Sequence, residues 1–209
     1  NHEYGIDHIG GDFYIRTNSD GSTNFRLMKC SEKDFAESSW KVFIPHRDDI
    51  LLENFELFNN YVVAEERIKG LSNLRVINTK DNSEHYIDFG EETYTCGINA
   101  NPSAESKVLR FSYSSLTTPA SVYDYDMETK EKKLLKQDEV LGGFSSDNYV
   151  SERLWATAAD STLIPISIVY RKGFSMDGTS PLLLYAYGSY GISMNPGFRS
   201  SIISLLDRG

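Results

Sequence analysis

Three times in its first 137 residues the chain repeats one series of short alternating strands, at a spacing that few architectures share. Asp12-Phe13-Tyr14-Ile15-Arg16, Asn60-Tyr61-Val62-Val63-Ala64 and Lys107-Val108-Leu109-Arg110-Phe111 carry their first apolar residues at 13, 61 and 108. A second set keeps the same phase: Asn24-Phe25-Arg26-Leu27, Asn73-Leu74-Arg75-Val76-Ile77 and Ala120-Ser121-Val122-Tyr123-Asp124. Trp40-Lys41-Val42-Phe43, His85-Tyr86-Ile87-Asp88 and Lys133-Leu134-Leu135 form a third. Turn formers separate them, as in Thr17-Asn18-Ser19-Asp20-Gly21, Lys80-Asp81-Asn82-Ser83 and Met127-Glu128-Thr129-Lys130.

Short strands in phase at roughly 40 to 50 residues are the signature of β-propeller blades, about four strands to a blade. A β-sandwich, the structural alternative, gives no reason for its strands to keep this interval. The innermost strands of the second and third repeats are expected at Asp49-Ile50-Leu51-Leu52-Glu53 and Thr93-Tyr94-Thr95-Cys96-Gly97. Residues 1–137 are thus read as about three blades. Propellers close with roughly four to eight, so further blades are expected from sequence before residue 1, and the start, which lacks an initiator Met, is expected to be internal.

After Leu141-Gly142-Gly143-Phe144-Ser145-Ser146-Asp147, a small and polar crossing, the pattern changes. Tyr149 to Ala156 and Leu163 to Tyr170 are predicted to form a hairpin turning at Asp160-Ser161, with Pro165 confining the second strand to an edge or a start. A near-continuous apolar run, Pro181-Leu182-Leu183-Leu184-Tyr185-Ala186-Tyr187, then enters the glycine-punctuated turn Gly188-Ser189-Tyr190-Gly191. This is the pattern of a buried strand delivering side chains at its carboxyl end, where open α/β sheets bind ligands. Residues 138–209 are read as the first strands of an α/β-hydrolase domain following mostly-β blades.

Composition excludes several functions. The chain has 209 residues, Lys+Arg 21 against Asp+Glu 30 and a formal net charge of -9, so no basic face awaits nucleic acid or anionic lipid. No apolar run reaches the roughly 18 to 20 residues that span a bilayer. Cys30 and Cys96 lack CxxC spacing and read as buried small apolar residues, which fits a cytoplasmic setting. His2, His8, His46 and His85 show no HxH or HExxH spacing, so no metal site is expected. The acidic pairs Asp48-Asp49, Glu65-Glu66 and Glu91-Glu92 read as solvated blade rims. Buried roles for Arg16, Arg67 and Arg110 are possible on the same reading but have no assignable partner. Ser189 is not a nucleophile candidate, because its surroundings are not the GxSxG elbow and no histidine follows it.

Several stretches resemble the prolyl oligopeptidase family of serine peptidases, with details nearest its oligopeptidase B (protease II) branch. They are Phe13-Tyr14-Ile15-Arg16-Thr17-Asn18 with Asn24-Phe25-Arg26-Leu27, Arg67-Ile68-Lys69-Gly70-Leu71, and Arg110-Phe111-Ser112-Tyr113-Ser114-Ser115-Leu116-Thr117-Thr118-Pro119. Tyr123-Asp124-Tyr125-Asp126, Leu135-Lys136-Gln137, Pro165 to Tyr170 and Tyr187-Gly188-Ser189-Tyr190-Gly191 continue the likeness in order. The resemblance implies a seven-bladed propeller capping an α/β-hydrolase domain, a Ser-Asp-His triad between them, short peptides as substrates with cleavage after Arg or Lys, and no cofactor. Its triad positions all correspond to sequence beyond Gly209, so none is assigned here and the chain alone is expected to be inactive. It implies that the Tyr187 hydroxyl is an oxyanion-hole donor and that Tyr190 forms an aromatic wall of the substrate pocket. A prolyl-specific peptidase of the same family and a non-catalytic propeller scaffold are the alternatives.

Overall fold

Alternation of apolar and polar residues favours a strand whose faces meet different surroundings, and the described residues form fourteen strands. A computed structural model describes residues 2–209. The first sheet contains β1 (Tyr4–Ile9), β2 (Asp12–Thr17), β3 (Arg26–Ser31) and β4 (Lys41–Ile44) in that order. The second contains β5 (Ile50–Leu57), β6 (Tyr61–Ile68), β7 (Leu71–Asn78) and β8 (Glu84–Tyr86), and the third β9 (Tyr94–Ile98), β10 (Val108–Ser115), β11 (Ser121–Asp126) and β12 (Lys132–Gln137). Each is a four-stranded antiparallel meander, the form expected of a propeller blade. A two-stranded hairpin, β13 (Tyr149–Thr157) with β14 (Leu163–Arg171), and one short helix, α1 (Ser200–Leu206), follow.

Each sheet is thus one repeat of the sequence, and β5 and β9 form where strands are expected before the second and third repeats. Some details differ. The repeat alone leaves the first strand of the first sheet unassigned, and β1 supplies it. Asn24 and Phe25 lie outside β3, because Phe25 takes a positive φ of 63° in the turn before the strand begins. Two tight turns set the registers. Gly10-Gly11 joins β1 to β2, with Ile9 opposite Asp12, and Lys69-Gly70 joins β6 to β7, with Ile68 opposite Leu71. All four loop residues have positive φ, as type I′ hairpins demand.

By contacts the chain divides into two compact units. The first comprises Asn1–Asp88, Gly97–Phe111 and Asp124–Lys133; the second comprises Phe89–Cys96, Ser112–Tyr123 and Leu134–Gly209. Within the first unit the core lies between the first two sheets: Tyr14, Leu27 and Ile44 pack against Leu52, Leu57, Val62, Ala64 and Ile77. A smaller cluster on the other face of the first sheet holds Ile15, Met28 and Cys30. Cys30 and Cys96 are both buried. Among the described residues no helix is long and apolar enough to cross a membrane.

The hairpin of the second unit pairs Tyr149 with Arg171 and Thr157 with Leu163, and Pro165 lies opposite Trp155 in a sheet that is all edge. Its turn closes where Ser161 adopts a φ of 70° and donates its amide to the Ala158 carbonyl.

Candidate functional site

The apolar run that sequence alone makes a buried strand is not one here. Residues 181–188 are in no strand, and Leu182 and Leu184 are each 77% exposed. An extended segment becomes a strand only when a neighbour takes its backbone hydrogen bonds and other side chains cover its faces. Among the described residues no strand is laid beside it. The turn after it does form: Ser189–Gly191 is one turn of 3₁₀ helix, and the Ile192 amide donates to the Ser189 carbonyl at 3.1 Å. Tyr190 holds a φ of 59°, a left-handed conformation unusual for a side chain of its size. Its ring is 94% exposed and that of Tyr187 is 49% exposed. Both therefore stand open on one short segment, and nothing among the described residues closes over them.

The same unit contains a pocket of about 460 Å³ lined by Gly90 to Glu92, Thr117 and Val150 to Leu154. Glu91, taken from sequence for a solvated rim residue, is built into its wall. Its carboxylate accepts hydrogen bonds from the hydroxyls of Tyr113 (2.6 Å), Thr118 (2.8 Å) and Thr117 (3.3 Å), which ties the turn after β10 to the segment before β9. Burial, reinforced by the Glu91 charge, pushes the Tyr113 hydroxyl far above its usual pKa, so it stays a donor at any ordinary pH. Glu152 accepts from the Tyr170 hydroxyl at 2.8 Å. Thr93 and Arg153 both donate to the Ser167 hydroxyl at 2.6 Å. Burial lowers the pKa of the Arg153 guanidinium, although it remains a cation throughout the physiological range. The carboxylates at this pocket thus serve to fasten the hairpin and the turns around it.

A second charged centre lies in the first unit. Glu66, fully buried on β6, accepts from Arg75 at 2.7 Å, from Arg47 and from the Tyr86 hydroxyl at 2.6 Å. Arg75 reaches on to Glu84 at 3.1 Å. Burial works to lower the Arg47 pKa, but Tyr86 and Glu66 outweigh it and the net shift is upward. Glu66 is therefore a structural hub and not a rim residue. Alternation along β6 carries the missed signal, since Glu66 shares a face with Val62 and Ala64. Of the three arginines without an assignable partner in sequence, Arg16 lies over the Phe25 ring at 3.4 Å and donates to the Leu52 carbonyl, Arg67 pairs with Glu53 at 2.8 Å, and Arg110 pairs with Asp124 at 2.8 Å.

The histidines have partners of structural kind. His8 meets Glu32 at 2.9 Å, His46 lies 3.8 Å from Asp48, and His85 bonds the Tyr125 hydroxyl at 2.7 Å. Burial lowers the pKa of His85, with Lys130 adding to the shift.

Comparison with known proteins supplies what the geometry cannot. A family model described as the N-terminal β-propeller domain of prolyl oligopeptidase matches residues 1–138. Dipeptidyl aminopeptidase BI of Pseudoxanthomonas mexicana is 46% identical over 208 residues, covering 99% of this chain and 28% of that protein. Protease 2 of Moraxella lacunata is 30% identical over 206 residues, covering 99% of this chain and 29% of that protein. The structure of oligopeptidase B from Leishmania major superposes with a TM-score of 0.89 at 31% identity, over 100% of this chain and 30% of that one. The chain thus spans less than a third of the length of these relatives. Three blade-like meanders in phase with the repeat, the family match across them and a likeness that continues through the hairpin and helix lead to one conclusion: the chain belongs to the prolyl oligopeptidase family of S9 peptidases.

Proposed function

We propose that this chain is part of a cytoplasmic serine oligopeptidase that hydrolyses short peptides after Arg or Lys through an acyl-enzyme. Residues 1–137 contribute three blades to its propeller and residues 138–209 begin its α/β-hydrolase domain. The observation that carries the reading is the likeness to oligopeptidase B, which extends over the whole chain and does not stop at the last blade. In this reading the exposed run from Leu182 to Tyr187 is a strand of the peptidase sheet whose neighbours lie in other parts of the enzyme. It delivers the Tyr187 hydroxyl to the oxyanion and Tyr190 to the wall of the substrate pocket.

A neutral hydroxyl aimed at the scissile carbonyl oxygen stabilises charge that exists only in the transition state. Tyr187→Phe keeps the ring and removes that donor. In the intact enzyme it is expected to lower kcat by about 10²–10³ with little change in thermal stability. Unchanged kcat and kcat/KM on slow peptides, where chemistry limits the rate, would make Tyr187 a packing residue. The nucleophile and base are supplied from elsewhere in the enzyme, so the 209-residue chain alone should be inert to a fluorophosphonate probe. Labelling of a serine in this chain would overturn that.

The 46% identity to a protein named dipeptidyl aminopeptidase favours a second reading, release of dipeptides from free N-termini. Fluorogenic peptides on the intact enzyme separate the readings. Cleavage after Arg or Lys with a blocked N-terminus supports the first, dependence on a free N-terminus the second, and cleavage after Pro the prolyl-specific alternative. No hydrolysis and no probe labelling of the intact protein would leave a scaffold.

A further inference from the structure

Among the described residues no strand lies beside the segment that carries Tyr187, and what fixes it within its unit is a small set of side-chain anchors at its downstream end. Pro196 is buried. The next residue but one, Phe198, donates its amide to the Ser114 hydroxyl at 3.0 Å and sets its ring edge-on to that of Phe144, centroids 5.0 Å apart. Ser114 is itself held, donating to the Thr118 carbonyl at 3.0 Å. Beyond this turn α1 is pinned by buried Ile203 and by the Tyr149 hydroxyl, which donates to Asp207 at 2.7 Å. Arg199 stands between the two fixed points. Its backbone is extended (φ -139°, ψ 113°), and its guanidinium lies over the Tyr185 ring at 5.0 Å from the centroid, within cation–π range.

Tyr185 is two residues from Tyr187, so in the strand proposed for this run of the intact enzyme their side chains leave the same face. Holding the ring of one limits the travel of the other. We infer that Arg199, carried on the turn docked by Ser114, is a positioning residue that steadies the Tyr185 to Tyr187 segment and so aims the Tyr187 hydroxyl. The inference rests on the oxyanion role proposed for Tyr187. Arg199 touches no reacting atom in this scheme; it acts through the Tyr185 ring. Lysine preserves the charge over the ring and loses only the planar stacking of the guanidinium.

A double-mutant cycle in the intact enzyme tests this, with kcat and KM read on a slow peptide and thermal unfolding as the control for folding. Arg199→Ala is expected to lower kcat about two- to fivefold with KM nearly unchanged, the size of a partly exposed cation–π contact. Arg199→Lys should recover most of the loss. In the Tyr187→Phe background, Arg199→Ala should cost nothing further, since the hydroxyl it steadies is gone. An equal loss in both backgrounds, or a change confined to KM, would overturn the positioning role and leave the Tyr187 assignment standing. If Tyr187→Phe alone leaves kcat unchanged, the oxyanion reading is wrong and the inference falls with it.

Discussion

Strand β6 and the run from Leu182 to Tyr187 have similar local patterns and opposite fates. Both are short and open with consecutive apolar residues, Tyr61 to Ala64 in the one and Leu182 to Leu184 in the other. β6 pairs residue by residue with β7 and, apart from a register shift between Leu52 and Asn54, with β5, and its Val62, Val63 and Ala64 are fully enclosed. The later run pairs with no strand among the described residues, and its leucines are exposed. The difference is in the neighbours. β6 has its partners within a few residues on either side, joined by tight turns, so the entropy of bringing them together is small. The run from Leu182 to Tyr187 has no such neighbour joined to it by a tight turn among the described residues.

If this account is right, the largest stability effect should come from the charge that β6 buries. Glu66→Ala leaves Arg75 enclosed without its main acceptor and should cost about 3–5 kcal/mol in urea unfolding of the chain. A loss below about 1 kcal/mol would mean that water reaches the cluster. A paired truncation comes next. Leu74→Ala, on the strand beside β6 and fully buried, should cost about 2–5 kcal/mol. Leu183→Ala should lie within about 0.5 kcal/mol of zero in the same chain. Equal costs at the two sites would erase the contrast and show the later run to be packed.

The smallest effect depends on pH. Burial raises the pKa of the Glu65 carboxyl above its ordinary 4.5, the Ile98 amide opposes the shift, and the Glu53 charge adds to it. The folded chain then binds a proton more tightly than the unfolded one, so stability declines as pH rises from the ordinary glutamate range through the raised folded value. Glu65→Gln removes that ionisation. Its unfolding midpoint should exceed that of the parent slightly at neutral pH, and the gap should close below pH 4.5. A gap that persists in acid would assign the gain to packing.

Much of the blade architecture is legible in sequence because its causes are local. Alternation decides which residues face the core, and turns such as Gly10-Gly11 and Lys69-Gly70 set the register, so the phase of 13, 61 and 108 carries straight into β2, β6 and β10. The hairpin at Asp160-Ser161 is legible for the same reason. The roles of single charges are not. Glu66 and Glu91 look like any acidic pair until three partners from other segments converge on each: Arg47, Arg75 and Tyr86 on the one, Tyr113, Thr117 and Thr118 on the other.

The sequence by itself thus determined the repeat, most strands of the three sheets, the hairpin and the change of pattern after residue 140, all of which depend on spacing along the chain. Only the tertiary structure decided which carboxylates are buried, that Arg199 lies over Tyr185, and that the run after Pro181 stays unpaired among the described residues. Burial and strand pairing are properties of what lies alongside a residue in space, and a one-dimensional pattern records only what lies beside it in the chain.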